Sequence, residues 1–299
     1  MEKTCLITHE YVNTIIRERP KDIHKGQCGR VLIVAGSKGM AGAAALTAAG
    51  ALKSGAGLVK TAVPEELFTI LQVLVPQAMC ISRRSLCSLR SPEKDGFGIE
   101  ELNLFDSVAI GPGLGVDEKN YELIKDILNY YKGTVILDAD GLNTMCRFDM
   151  DLGSLKSRSE AVIITPHPGE GNRLLKALGC DDTVQTLGRK AAAEFLSRET
   201  GAVVLLKGAG TLVSSDSEGT YINTTGNPGM AKGGSGDVLT GVIAALSAYG
   251  ISDFDSAKTG AFIHGMAGDI AAERLGQWGM TSADIEKALP YAFKNIADK

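Results

Sequence analysis

No cysteine pair with metal-knuckle spacing occurs in this 299-residue chain. Its six cysteines (Cys5, Cys28, Cys80, Cys87, Cys146, Cys180) are scattered, with no CxxC anywhere. That argues against structural zinc and against a disulfide framework, and it makes free thiols in a reducing compartment the expectation. Nor does any stretch approach the roughly 18 apolar residues of a membrane span. Met1–Ile7 lacks the apolar core of a secretory signal, so the pattern Asn223-Thr224-Thr225 carries no glycosylation meaning and the cytoplasm is the expected location. Basic clusters are missing too. With 31 basic against 35 acidic residues the formal net charge is −4, which leaves no footprint for nucleic acid or an anionic membrane. The expected partner is a small molecule in a local pocket.

Two familiar nucleotide loops are also lacking. No GxxxxGK[ST] is present, and neither Gly113-Leu114-Gly115 nor Gly234-Ser235-Gly236 is followed by the third glycine of a dinucleotide fingerprint. What is present is a hydrophobic share of 44%, ordinary for a chain with a sizeable core.

From Arg30 the grammar alternates. Arg30–Gly36 is a continuous apolar, β-branched run that reads as a strand buried on both faces, and the alanine-rich Ala41–Ser54 reads as a closely packed helix. Leu58–Val63, Ser107–Ile110, Thr134–Leu137, Ala161–Thr165 and Ala202–Leu206 read as further strands. Helices are expected after Pro64-Glu65-Glu66 and over Glu118–Tyr131, Thr183–Glu199, Asp237–Tyr249, Ser256–Leu275 and Ser282–Ala297. Thr211–Ser215 and Thr220–Asn223 flank a turn and predict a hairpin. A lead-in helix is expected around Tyr11–Arg19. The alternation predicts an α/β fold with a mainly parallel central sheet and helices on both faces, in one domain over 1–299 with 1–23 as an N-terminal lead-in. Ligands on such sheets sit outside the carboxyl ends of the strands. The turns fall there: Gly111-Pro112-Gly113, Asp138-Ala139-Asp140, Thr165-Pro166-His167, Lys207-Gly208, and the loop ending at Asp237.

That last loop, Gly226–Asp237, is glycine-rich and opens an apolar helix. Glycines before a helix let backbone N–H groups face an anion, and the helix dipole favours negative charge there. A turn with a capping aspartate would need only one such residue. Gly234, Ser235 and Gly236 are therefore the expected anion hole, and Asp237 stands where an attacking hydroxyl would lose its proton. The chemistry implied is phosphoryl transfer. Lys232 is expected to neighbour the phosphates. Asp138 and Asp140 end a strand, and Asp140 could cap the following helix. His9, His24 and His264 show no metal-ligand spacing and read as structural.

A GxGD loop opening a helix resembles the ribokinase-like kinases. His24-Lys25-Gly26, Gly29–Ser37, Met40–Ala44, Ile110–Gly115, Leu137–Asn143, Thr165–Glu170, Leu206-Lys207-Gly208 and Asn227–Asp237 stand in the order found in the ADP/ATP-dependent NAD(P)H-hydrate dehydratase family. The resemblance implies a ribokinase-like fold, an adenine nucleotide as co-substrate, and Mg²⁺ on its phosphates. It implies that Asp237 is the base and touches the substrate hydroxyl, and that Ala43, Gly113 and His167 contact hydrated NADH or NADPH. Lys207, Gly208, Ala209, Gly210, Thr211 and Gly236 would meet the nucleotide, and Glu170 would organise magnesium through water. The chain departs from the family at Gly171-Asn172, where a bulky residue is usual. The resemblance further implies a homo-oligomer. Because Met1–Ile23 alone precedes the first matching residue, a separate NAD(P)H-hydrate epimerase is the expected functional partner. A ribokinase-like kinase of another small alcohol and a nucleotide-binding regulator without turnover are the alternatives.

Overall fold

The computed structural model describes residues 5–90 and 97–297. Its strands are β1 (Cys5–Ile7), β2 (Arg30–Val34), β3 (Leu58–Val63), β4 (Met79–Ser82) and β5 (Ser107–Ile110), then β6 (Thr134–Leu137), β7 (Val162–Ile164), β8 (Val203–Leu206), β9 (Leu212–Ser215) and β10 (Gly219–Asn223). The helices are α1 (His9–Ile15), α2 (Ala41–Lys53), α3 (Phe68–Leu74), α4 (Ile99–Leu102), α5 (Glu118–Tyr130) and α6 (Asp140–Arg147). They continue as α7 (Pro168–Ala177), α8 (Val184–Leu187), α9 (Arg189–Thr200), α10 (Ser235–Ala248), α11 (Asp253–Gly279) and α12 (Ser282–Ala297).

Among the described residues, ten strands join one sheet in the order β1-β10-β9-β8-β7-β6-β5-β2-β3-β4, and of these only β9 runs against its neighbours. The β9–β10 hairpin is the one the turn signal predicts. Period-two alternation sorts the strand side chains between two cores. Val31, Ile33, Ala109, Ile136 and Ile163 face one core with α2, α10, α11 and α12. Leu32, Val34, Ile110, Leu137 and Ile164 face the other with α5, α6, α7 and α9. Both faces are covered, so these strands read as continuous apolar runs. No helix among the described residues is long and apolar enough to cross a membrane.

The alanine- and glycine-rich face of α2 exists for α10. A methyl group at Gly50 would stand 2.6 Å from the Val238 carbonyl oxygen, and one at Gly241 would overlap the Thr47 carbonyl. Larger side chains would push the two helices apart and lift the mouth of α10 off the sheet.

Several elements differ from the sequence reading, which did not anticipate β1, β4, α4 or α7. The helix expected over Thr183–Glu199 is broken at Gly188, whose φ of 81° lies in left-handed space, and becomes α8 and α9. The lead-in helix is α1, capped by the Thr8 hydroxyl accepting from the Tyr11 N–H, and ends at Ile15 rather than Arg19. Ahead of it, β1 pairs in parallel with β10, and Ile7 and Val12 are buried in the main core.

The sheet register aligns the strand ends. Val34 pairs with Ile110, Ile110 with Leu137, Leu137 with Ile164 and Ile164 with Val204. From β2 the chain winds outward through β3 and β4, then returns to the other side as β5 to β8. Such a reversal leaves a crevice at the carboxyl ends. There the Asp138 N–H donates to the Ile110 carbonyl, that of Thr165 to Leu137, and that of Lys207 to Pro166.

Candidate active site

The mouth of α10 is built by a bend at Gly234, in left-handed conformation at φ 88°. Helix starts leave N–H groups without intrahelical acceptors. Those of Gly234, Gly236 and Asp237 donate to no backbone acceptor among the described residues. The loop before the bend is held from behind. Asp269 on α11 accepts from the Gly226 N–H at 2.8 Å and from the Asn227 amide at 2.9 Å. The Ser235 hydroxyl closes the loop onto the Met230 carbonyl at 2.8 Å.

Beneath the mouth lies a charged cluster drawn from four elements. Lys207, just after β8, places its Nζ 2.6 Å from Asp138 Oδ1 and 3.9 Å from Glu170 Oε2. Thr240 on α10 donates to Asp138 Oδ2 at 2.7 Å. Burial would push the Asp138 carboxyl up, yet the Lys207 ammonium and hydrogen bonds from Lys207, Thr240 and Thr165 hold it below the ordinary range. Burial disfavours the Lys207 charge, but Asp138 and Glu170 raise its proton affinity above that of an ordinary lysine. The pair is therefore ionised. Glu170 is raised, by burial and by Asp138, against the pull of Lys207.

Asp237 stands on the first turn of α10. Burial, then the like charge of Asp138, push its pKa up to about 6 against the opposing pull of Lys207. A carboxylate so tuned holds a proton tightly enough to take one from a hydroxyl and is largely ionised near neutrality.

A cavity of about 560 Å³ opens on one side of this mouth. Lys207, Gly208, Ala209, Gly210, Thr211, Ser235 and Gly236 line it, opposite Asn223, Thr225, Asn227 and Met230. Every residue expected at the nucleotide is thus in one place. His167 borders the same cavity rather than the far side of the mouth. Its backbone N–H donates to Glu170 Oε2 at 2.8 Å and its Nδ1 accepts from the Gly169 N–H, so it also caps α7. Ala43 and Gly113 lie apart from the cavity but against each other: a methyl on Gly113 would come 2.9 Å from the Ala43 Cβ. Asp140 connects that side to Asp237. It does not cap α6 through its side chain but accepts from the Gly115 N–H at 2.8 Å, closing the Gly113–Gly115 turn, and it contributes to raising Asp237.

Two further expectations change. Lys232 reaches away from the anion hole: its Nζ donates to the carbonyls of Trp278 at 2.8 Å and Met280 at 2.5 Å, tying the loop to the end of α11. The departure at Gly171-Asn172 is compensated locally. A methyl at Gly171 would come 2.9 Å from Val184, and Asn172 accepts from the Val184 N–H at 2.8 Å, so α8 fills the space a bulkier residue would take.

Sequence reasoning passed over Asp269 and Thr240, and gave Asn223 and Thr225 no place in the site, although both line the cavity. Asp269 and Thr240 sit inside helical patterns, and only tertiary contact shows them facing the loop. His264, read as structural, is buried on the cavity wall with its Nε2 unpartnered; burial pushes its pKa down to about 4, so it is neutral.

No group of three or more histidines, cysteines or carboxylates that could hold a metal occurs among the described residues. Asp138 is consumed by Lys207 and Thr240, and Glu170 by the His167 N–H. This donor set suits a magnesium ion carried on phosphates, with a carboxylate reaching it through water, and not a protein cage.

The family model for NAD(P)H-hydrate dehydratase matches residues 31–291. The chain belongs to this family. A bifunctional NAD(P)H-hydrate repair enzyme from Moorella thermoacetica is 40% identical over 296 residues, covering 98% of this chain and 54% of the relative. One from Thermofilum pendens is 37% identical over 288 residues, covering 94% and 52%. The chain thus spans about half the length of these curated relatives. Among solved structures, an ADP/ATP-dependent NAD(P)H-hydrate dehydratase from Bacillus subtilis, co-crystallised with ATP and Mg²⁺, superposes with a TM-score of 0.83 at 26% identity. The match covers 99% of this chain and 100% of that one. A ribokinase-like superfamily protein from Enterococcus faecalis gives a TM-score of 0.84 at 24% identity. The dehydratase-family chain therefore has the ribokinase-like α/β fold expected of it.

Proposed function

We propose that this protein dehydrates the S-epimer of hydrated NADH or NADPH, using ADP or ATP to phosphorylate the ring hydroxyl before phosphate leaves. The observation that carries the reading is Asp237: a half-buried carboxylate with a pKa of about 6, on the first turn of α10 beside the unpaired N–H groups of Gly234 and Gly236. The relatives' names supply the substrate, and the B. subtilis structure supports ATP with Mg²⁺ as the donor.

In this reading the nucleotide lies along Lys207–Thr211 with its terminal phosphate at Gly234–Gly236, while the hydrated ring approaches from Ala43 and Gly113. Asp237 takes the hydroxyl proton as the oxygen attacks phosphorus and the phosphoanhydride bond breaks. The anion hole stabilises the charge that develops on the transferring group. Magnesium on the phosphates supplies further charge neutralisation. Phosphorylation converts hydroxide, a poor leaving group, into phosphate. The carbon–oxygen bond then breaks, a proton leaves the neighbouring ring carbon, and the double bond is restored. In the same reading His167, whose N–H is held by Glu170, contacts the hydrated nicotinamide nucleotide, and Glu170 organises magnesium through water. Only the S-epimer reacts, so complete repair also draws on an NAD(P)H-hydrate epimerase.

The test is direct. Purified protein with hydrated NADH, Mg²⁺ and either ATP or ADP should regenerate the near-ultraviolet absorbance of the dihydronicotinamide ring. No recovery with either nucleotide, for the hydrate of NADH or of NADPH, would remove the proposal. Recovery that survives Asp237→Asn would remove Asp237 from the base role.

A further inference from the structure

We propose that Asp138 is a positioning residue, which holds the Lys207 ammonium against the anion cradle at Gly236, and that Thr240 fixes the carboxylate in place. The inference rests on the phosphoryl-transfer reading above and extends it to residues that touch neither nucleotide nor substrate.

The geometry points one way. Asp138 is only 1% exposed and Glu170 4%, whereas the Lys207 side chain keeps 19% of its surface and lines the cavity. Lys207 is thus the cation of the cluster that reaches the nucleotide site. Its Nζ lies 3.3 Å from where a Gly236 Cβ would stand, and Asp138 Oδ2 3.7 Å from it. The absent side chain at Gly236 is what lets the ammonium sit against the first turn of α10. Thr240, one turn further on, donates its hydroxyl proton to Asp138 Oδ2 at 2.7 Å, with the Gly236 carbonyl oxygen 3.1 Å from the same hydroxyl. One hydroxyl therefore ties the carboxylate to the turn that forms the cradle.

A lysine is a compact charge on a flexible four-carbon stem and extends toward water unless it is held. Without Asp138, the remaining ion-pair partner is Glu170, 3.9 Å away, which would draw the ammonium off Gly236, while the Asp237 charge acts on it from beyond ion-pair distance. Stability alone does not account for the arrangement, because a buried ion pair often costs as much in desolvation as it returns. Set at the cradle, the held ammonium meets the terminal phosphate and the charge that gathers on it during transfer.

Asp138→Asn keeps the shape and removes the charge that holds Lys207. The first readout requires no turnover: the ratio of ATP to AMP affinity, each with Mg²⁺, measured by calorimetry. Asp138→Asn should reduce that ratio about tenfold, the worth of one charge-assisted phosphate contact. Thr240→Val should reduce it by a smaller factor, and Thr240→Ser, which keeps the hydroxyl, should restore it. The second readout is turnover. In Asp138→Asn, kcat should fall about a hundredfold, as for loss of one transition-state donor, with a smaller change in KM for the hydrate. A structural pair would lower the melting temperature and leave the affinity ratio in place.

An unchanged ratio in folded Asp138→Asn, or in Thr240→Val should the first variant not fold, overturns the inference. If the wild type shows no turnover while the ratio still falls, the reaction assigned above is wrong and the role of Asp138 stands.

Discussion

Asp237→Asn should make the folded protein more stable at pH 8 while abolishing its activity. The ordinary aspartate value of 3.8 rises to about 6 in the folded chain, so the folded state binds this proton more tightly than the unfolded one. Folding therefore takes up a proton between about pH 4 and pH 6, and stability falls as the pH rises through that window. Above it the ionised carboxylate costs up to roughly 3 kcal/mol. Partial exposure screens the charge, so about 1–2 kcal/mol is the expected gain on replacing it with the neutral amide. At pH 5 the linkage leaves about half of that gain, because the wild-type carboxylate is then mostly protonated. Urea midpoints of both proteins at pH 5 and pH 8 give the comparison. A variant less stable than wild type at pH 8, or a difference that does not change with pH, would refute the claim that Asp237 is an ion held against its environment. The same carboxylate should set the acidic limb of kcat/KM near pH 6, with activity falling about tenfold per pH unit below it.

Three other outcomes follow from particular contacts. Gly241→Ala should lower stability by about 1–3 kcal/mol in thermal or urea melts, because the added methyl meets the Thr47 carbonyl and separates α10 from α2. Ala139→Gly should raise stability by about 1 kcal/mol, since Ala139 holds a φ of 46° and ψ of −117° between the two site aspartates. Chelating magnesium should stop turnover yet leave the melting temperature of the nucleotide-free protein unchanged, as no cluster of protein ligands among the described residues would be emptied; a drop in that temperature would reveal a metal held by the protein itself.

Much of this molecule is local. The runs Arg30–Val34, Leu58–Val63, Ser107–Ile110 and Thr134–Leu137 are strands because β-branched and aliphatic residues are buried on both faces, and such runs need no knowledge of their partners to be read. The glycine-rich approach to α10 is legible for the same reason: unpaired N–H groups at a helix start are a property of the backbone there. Edge elements were not legible. Only Ile7 of the three residues in β1 is buried, and β4 has no fully buried residue, so neither carries a hydrophobic signal of its own. The break at Gly188 was hidden because a single glycine does not interrupt the apolar spacing around it.

Sequence alone determined the α/β class and singled out the loop Gly226–Asp237 and the carboxylate of Asp237, on which the proposed function rests. Tertiary structure decided the rest of the site. It joined Asp138 to Lys207 across 69 positions and drew Thr240 in from the face of a helix. It also turned Lys232 away toward Trp278 and Met280, and set His167 on the cavity shared with Lys207 to Thr211. The reason is physical. Backbone conformation depends on near neighbours, whereas the proton affinity of Asp237 depends on burial and on charges that only the folded sheet brings beside it.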